Sequence, residues 1–452
     1  MTRVFVLWDD SHLWGLLVLR SLRALGVPHG ILRAHDIAEG ALSGKPEAFG
    51  PSHGGSAISG GGEAHAQHPS LLIVPGGWAR GRALRLGEAG LAAIREFVAR
   101  GGNYLGFCGG AGLALTSPRP GESLNLCPWG RMGFAGRLQH FLSGDVRLGL
   151  NAGAGDDLIL PGAAETLAQV WWPAQFAPPP RAANDGVIVL ARYAGLGPDF
   201  WVADLDLSRF PDEALNDWEN LYGLQVRPNF LAGRPAVISG RFGQGRYVLS
   251  YPHLETPDSP QANAWLAHLL CGLAADDCPG DTRIPAWKVG QEPALWADPA
   301  LLEAKAALKE AIGVGQEHLL LFWRNPWLLG WRRGVPGPGI NSVYALVCEA
   351  LECPPPAPGS PAQTFWDAHA ADFARLATLF CKGLSGLLLA ERLDMTVRQT
   401  PGVDGADDMF SKNLRDMRAA LFGPPPGAGG ICGQMLGLLE DLCAGLWDTT
   451  AR

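Results

Sequence analysis

Charge is scarce in this chain. Asp, Glu, Lys and Arg make up 18% of its 452 residues, and the 36 basic and 44 acidic side chains, a formal charge of -8, are spread without blocks of either sign. With no polycationic stretch to neutralise a phosphate backbone, nucleic acid is excluded as an expected partner. Long apolar runs are also lacking: residues 319–323 and 387–390 are among the longest, far short of the roughly 20 residues a membrane span needs. The apolar start, residues 1–8, is broken by Asp9 and Asp10 before it could form the core of a signal peptide. Nine cysteines, an odd number without CxxC spacing, argue against a disulfide framework and against a structural zinc site. These absences set the expectation of a soluble, cytoplasmic protein with no membrane span, no metal and no cofactor.

Apolar residues, at 47%, are too many for a disordered chain, and Gly 60 with Pro 36, about a fifth of the total, imply many loops. At about 100 to 200 residues per domain, the length predicts two to four domains.

The first hundred residues alternate short apolar runs with helical patterns, as a parallel sheet wrapped by helices does. Strands are expected at 4–8, 29–32, 71–74 and 103–107. A helix from Ser11, read as its cap, runs to about Leu25, and another carries Leu91, Ile94, Phe97 and Val98 to a stop at Gly101-Gly102. Residues 36–69, rich in Gly, Ser and His, read as a surface insertion. Shorter strands are expected at 187–193, 200–203, 236–241 and 246–251, the last two as a hairpin about Phe242-Gly243-Gln244-Gly245. A helix at 261–273 closes this part. Prolines at 279, 285 and 293 mark a linker, which places domains at 1–278 and 279–452. The second is read as α-helical, with Asp298-Pro299 as a cap and helices at 341–351, 362–391, 411–421 and 431–447. In the last, Met435, Leu439, Leu442 and Leu446 share a face. No internal repeat is present.

Chemistry concentrates in three segments. Residues 104–112, Tyr-Leu-Gly-Phe-Cys-Gly-Gly-Ala-Gly, run from a strand through glycines into a helix. A nucleophile elbow needs this composition, because the strained turn that presents Cys108 leaves no room for neighbouring side chains. A small buried cysteine beside glycines is the structural alternative. Residues 71–78 form a buried strand ending in Pro75-Gly76-Gly77, a loop able to present amides as an oxyanion hole together with Gly109, or else a plain strand-end turn. Residues 249–255 end a strand in His253-Leu254-Glu255. On extended chain the outer two point the same way, so Glu255 can hold the imidazole while its other nitrogen faces the thiol. Open α/β sheets place their sites at carboxyl strand ends, where all three segments would lie.

On these residues the chain resembles the class I glutamine amidotransferase fold with its Cys-His-Glu triad. Residues 170–176, 189–193 and 243–250 resemble the biotin-protein ligase N-terminal domain branch of it. The resemblance covers about residues 1–275 and implies a doubly wound, mostly parallel, flavodoxin-like sheet. Nothing resembles a biotin ligase catalytic domain, so biotinylation is not implied. Two positions depart from the pattern: Gly112 stands where glutamine-using members carry Gln, and Leu254 stands where they carry Pro between the His and the Glu. The first departure removes a side chain that helps hold glutamine.

The expectation is a cysteine-dependent amidase or hydrolase acting on a small amide or related carbonyl. Cys108 is its nucleophile, His253 its proton carrier, Glu255 the orienting acid, and Gly76, Gly77 and Gly109 supply the oxyanion hole. The alternative is a non-catalytic module of the same fold that binds a small molecule or serves as a scaffold. Other candidates weigh less: His35, His53, His65 and His68 are irregularly spaced, Asp204 and Asp206 lack a partner, and residues 322–333, with tryptophans four apart among arginines, read as packing within the helical domain.

Overall fold

The structure is a computed structural model that describes residues 4–43, 70–119, 121–132, 141–180, 185–223, 227, 229–274, 282–332, 334–398, 407–424 and 429–448. The chain forms two compact units, residues 1–285 and 286–452. Most of the expected insertion, residues 44–69 with His53, His65 and His68, lies outside the described residues, as does the start of the expected linker, 278–281.

Unit 1 begins as alternating strand and helix: β1 Val4–Leu7, α1 His12–Ala24, β2 His29–Leu32, α2 Ala34–Ala38, β3 Leu71–Val74, α3 Ala79–Ala99, β4 Asn103–Phe107 and α4 Gly109–Ala114. The second half is strand-rich: β5 Gly130–Met132, β6 Leu142–Leu150, β7 Glu165–Trp171, β8 Gln175–Ala177, β9 Ile188–Val202 and β10 Leu205–Asp206. It ends with α5 Asp212–Tyr222, β11 Pro235–Phe242, β12 Gly245–Ser250 and α6 Pro260–Ala274. One large mixed sheet runs β2-β1-β3-β4-β12-β11-β9-β6-β7. The first five strands are parallel neighbours, and β11, β9, β6 and β7 extend the sheet antiparallel. The fold class is thus α/β, with helices on both faces of the parallel half.

Period-two alternation sorts the buried residues. Phe5 and Leu7, Leu72 and Val74, Tyr104, and Tyr247 and Leu249 point into a cluster with α3 residues Leu91, Ile94, Phe97 and Val98. The intervening Val4, Val6, Leu71, Ile73, Leu105, Phe107 and Val248 are equally buried, on the side that α1 and α6 cover. At about 1.5–3 kcal/mol per large apolar side chain removed from water, this two-sided burial dominates the favourable energy of the unit.

The far edge of the sheet returns to the parallel half. Past β12, His253 pairs with Gln169 of β7 in an antiparallel bridge, its amide donating to the Gln169 carbonyl at 2.7 Å. The curl carries Trp171, at the end of β7, to the carboxyl ends of β4 and β12.

Several local readings change. Residues 187–193 and 200–203 belong to one strand, β9, which passes through Gly195, Gly197 and Pro198 with register shifts against β6, where a proline is tolerated. Ser11 precedes α1 but makes no capping bond, because its hydroxyl donates to the Leu7 carbonyl at 2.9 Å. The described cysteines are free except Cys271 on α6, which is disulfide-bonded.

Unit 2 contains α7 Pro299–Glu317, β13 Leu321–Asn325, β14 Leu328–Trp331, α8 Gly337–Glu352, α9 Pro361–Arg398, α10 Asp407–Phe422 and α11 Gly430–Asp448. Asp298 caps α7 by accepting from the Leu301 amide at 3.0 Å, and its other oxygen accepts from the Trp366 indole of α9 at 2.7 Å. Met435, Leu439, Leu442 and Leu446 of α11 are all buried. The tryptophan-arginine segment packs within unit 2, with Trp327, Leu328 and Leu329 buried. It is the β13–β14 hairpin, turned by Asn325, whose side chain accepts from the amides of Trp327 and Leu328. One described helix, α9, is long and apolar enough to cross a membrane by length and composition. An 18-residue window of it has mean hydropathy 1.4, with 44% of that window buried.

Candidate active site

β4 is buried from Tyr104 onward and enters the turn that carries Cys108. Cys108 has φ 46° and ψ -102° and precedes the first residue of α4, a conformation that costs an L-residue about 1–3 kcal/mol. Its neighbours impose it. A Cβ on Gly109 would lie 1.9 Å from the Gly77 carbonyl oxygen, one on Gly110 2.0 Å from that of Val74, and one on Gly106 2.7 Å from the Gly110 carbonyl. Only glycines let β3, its loop and the elbow approach so closely. The turn is tied at both ends, with the Cys108 amide donating to the Ser250 carbonyl at 2.7 Å and the Cys108 carbonyl accepting from the Gly112 amide at 2.9 Å. Gly110→Ala should therefore destabilise the protein by about 3 kcal/mol, at the upper end of the usual overpacking range. The urea midpoint reads this, and a cost under about 0.5 kcal/mol would contradict the tight elbow.

The chain after β12 bends at once, so His253 and Glu255 meet in a turn and not on the extended segment expected from their spacing. His253 Nδ1 and Glu255 Oε1 are 2.7 Å apart, with side chains 2% and 0% exposed. Polar groups lock the turn. Thr256 Oγ1 donates to the His253 carbonyl, Asn263 Nδ2 to the carbonyls of Leu254 and Thr256, and Ser21 Oγ of α1 to the Glu255 carbonyl. Burial of the ring disfavours the imidazolium, but the Glu255 carboxylate and the Cys108 side chain outweigh it, and the His253 pKa is raised to about 10.

His253 Nε2 is buried and has no aligned hydrogen-bond partner among the described residues. The Cys108 thiol nevertheless interacts with the ring, while Sγ is directed at the Trp171 carbonyl at 3.5 Å. Thiol and imidazole are thus in electrostatic contact without a well-aligned bond, as catalytic pairs in unliganded sites often are.

The Pro75-Gly76-Gly77 loop closes the site from the β3 side. Gly77 has φ +124°, and a Cβ on Gly76 would fall 2.7 Å from His253 Cε1 and 3.1 Å from Trp14 Cγ. Cys108, His253, Glu255, Gly76, Gly77 and Gly109 are therefore gathered at the carboxyl ends of β3, β4 and β12. Gly112 is half-buried with Ala79 Cβ 3.7 Å from where its own Cβ would sit, and Leu254 is fully buried.

Three tryptophans at this site were not singled out by sequence reasoning. Trp14 of α1 stacks on His253, with ring centroids 4.6 Å apart and planes at 30°. Trp171 lies 5.5 Å from Trp14 and 6.3 Å from Trp172, and Trp172 has φ 51°, an uncommon conformation for so bulky a residue. The pair Trp171-Trp172 entered only as part of a family likeness, and Trp14 carried no signal beyond its place on an apolar helix. The remaining candidates stand apart. His35 is exposed on α2, 3.1 Å from Asp36, and Asp206 caps a short turn through Ser208 and Arg209.

The family described as "Biotin-protein ligase, N terminal" matches residues 61–117, a stretch that includes β3, the glycine loop, α3, β4 and the Cys108 elbow. No curated protein sequence matches the chain. Among solved structures, one described as a GMP synthase subunit from Thermoplasma acidophilum is 12% identical, with a TM-score of 0.36 over 61% of this chain and 94% of that one. A ThuA-like protein from Bacteroides uniformis is 13% identical, with a TM-score of 0.36 over 62% and 93%. The fold is α/β, a mixed sheet with a parallel half flanked by helices, and the C-terminal region is mostly helical.

Proposed function

We propose that unit 1 is a cysteine-dependent amidase or related acyl hydrolase acting on a small-molecule amide. The observation that carries this reading is the strained Cys108, backed by a buried histidine whose far nitrogen Glu255 holds at 2.7 Å. A core cysteine needs neither the strain nor the partner. In the first step the Cys108 thiolate adds to the amide carbonyl, and the resulting oxyanion takes hydrogen bonds from backbone amides of the glycine loop and Gly109. The C–N bond then breaks as the His253 imidazolium passes its proton to the leaving amine, leaving a thioester. Water, deprotonated by the now neutral His253, attacks the thioester and releases the carboxylic acid. The thiolate and the imidazolium are restored.

The aromatic wall of Trp14, Trp171 and Trp172, with Gly112 at the position that usually helps hold glutamine, supports an acyl group that is flat or apolar over glutamine itself. A second reading, a binding or scaffolding module without turnover, draws support from Gly112, Leu254 and the unaligned thiol and imidazole. Iodoacetamide at neutral pH separates the two. The amidase reading expects Cys108 to be carboxamidomethylated at least about tenfold faster than any other thiol. The other free cysteines among the described residues are buried, and burial raises the pKa of Cys127, Cys348, Cys381 and Cys432 to about 11 or 12. Labelling of Cys108 at or below their rate supports the binding module.

A further inference from the structure

Arg82 breaks two rules of local design. It is a cation in the first turns of α3, where the helix dipole disfavours positive charge, and its side chain is 0% exposed. Its guanidinium is engaged by a fan of acceptors. Nη1 donates to the Pro75 carbonyl at 3.0 Å, and Nη2 to the Gly76 carbonyl at 3.0 Å. Nε donates to the Asp9 carbonyl at 3.2 Å, and Nη2 also to the Asp10 carbonyl at 3.2 Å and Ser11 Oγ at 3.1 Å. Two of these acceptors are consecutive carbonyls of the glycine loop.

A trans peptide carries its C=O and N–H on opposite sides. With the carbonyls of Pro75 and Gly76 both turned to the guanidinium, the N–H groups of Gly76 and Gly77 point off the opposite side of the loop. Neither amide donates a hydrogen bond to a described residue. The His253 ring lies against the Cα of Gly76. A charged donor on each carbonyl also polarises its peptide and makes the attached N–H a stronger donor.

We infer that Arg82 is a positioning residue for the oxyanion hole: from the far side of the loop it fixes and polarises the two peptides whose amides receive the oxyanion. The inference rests on the amidase reading. Arg82 touches no reacting atom, so its effect belongs to reactions that form an oxyanion. Acylation of Cys108 by p-nitrophenyl acetate forms a tetrahedral oxyanion, and alkylation by iodoacetamide, a direct displacement at carbon, forms none.

The test measures both reactions at Cys108 on the full chain, in wild type and in Arg82→Lys, which keeps the charge and loses the planar fork. Acylation is expected to slow by about 10²-fold, in the range for loss of an oxyanion donor, through kcat with KM nearly unchanged. Alkylation should stay within about twofold. Ser11→Ala, which removes one acceptor and leaves the guanidinium in place, serves if Arg82→Lys does not fold. It should slow acylation by a few-fold, again with alkylation unchanged. Parallel loss of both reactions, or unchanged acylation in a folded variant, overturns the positioning role. A wild-type chain that alkylates at no special rate and does not acylate at Cys108 overturns the amidase reading, and this inference with it.

Discussion

Replacing Cys108 by alanine should lower turnover of any amide or ester the protein hydrolyses by at least about 10⁴-fold, the scale seen when a nucleophile is removed and the oxyanion donors remain. Replacement by glycine should abolish turnover to the same extent and raise stability. Cys108 holds φ 46° against a cost of about 1–3 kcal/mol that glycine does not bear. A higher urea midpoint for Cys108→Gly than for wild type, with turnover lost in both variants, would show that the fold holds the nucleophile in strain for its chemistry. A glycine variant less stable than wild type would remove that argument. It would leave the elbow as ordinary packing.

The second large effect falls on the histidine pair. His253→Ala should approach the loss seen for Cys108→Ala, because both proton transfers pass through the ring. Glu255→Gln should cost about 10²-fold less, since orientation is a smaller contribution than proton transfer. The two chemistries of the thiol separate by pH. Amide cleavage needs the imidazolium to protonate the leaving amine, so it should fall as pH rises through about 10, the value to which Glu255 and Cys108 raise His253 against its burial. Alkylation by iodoacetamide needs only the thiolate and should not fall there. Without the Glu255 carboxylate, the descending limb of amide cleavage should move towards the ordinary imidazole value. Stability follows the same sign: a folded pKa raised above the unfolded 6.5 stabilises fully below about pH 6.5, and that contribution is lost as pH rises towards 10. Urea midpoints at intervals from pH 6 to 10 should decline in wild type and decline less in Glu255→Gln.

Much of this site was legible because its parts are local. A glycine-flanked cysteine after an apolar strand, a Pro-Gly-Gly strand end and a His-x-Glu pair each carry their signal within a few residues. The parallel strands were legible for the same reason, as short apolar runs between turn residues. What sequence reading missed depends on contacts between distant segments. Trp14 reaches His253 across the sheet, and Arg82 reads as one more arginine on an amphipathic helix until its carbonyl partners are known. Gly195, Gly197 and Pro198 read as breakers, but pairing with β6 carries β9 through them. Ser11 has the composition of a cap and is drawn instead to the Leu7 carbonyl. Residues 322–333 were legible as packing within the second unit, but not as strands. The Asn325 side chain turns that stretch into a hairpin, a turn-level preference that the spacing of the tryptophans does not reveal.

Catalysis of the proposed kind requires Cys108 as a nucleophile driven by His253. The most direct measurement is the mass of the protein after brief exposure to p-nitrophenyl acetate, with the modified peptide mapped, in wild type and in His253→Ala. One acetyl group on Cys108 is predicted in wild type, formed faster than on any other cysteine, with a rate at least about 10²-fold lower without His253. Acetylation spread over several thiols, or acetylation of Cys108 at an equal rate in the two proteins, would contradict that role.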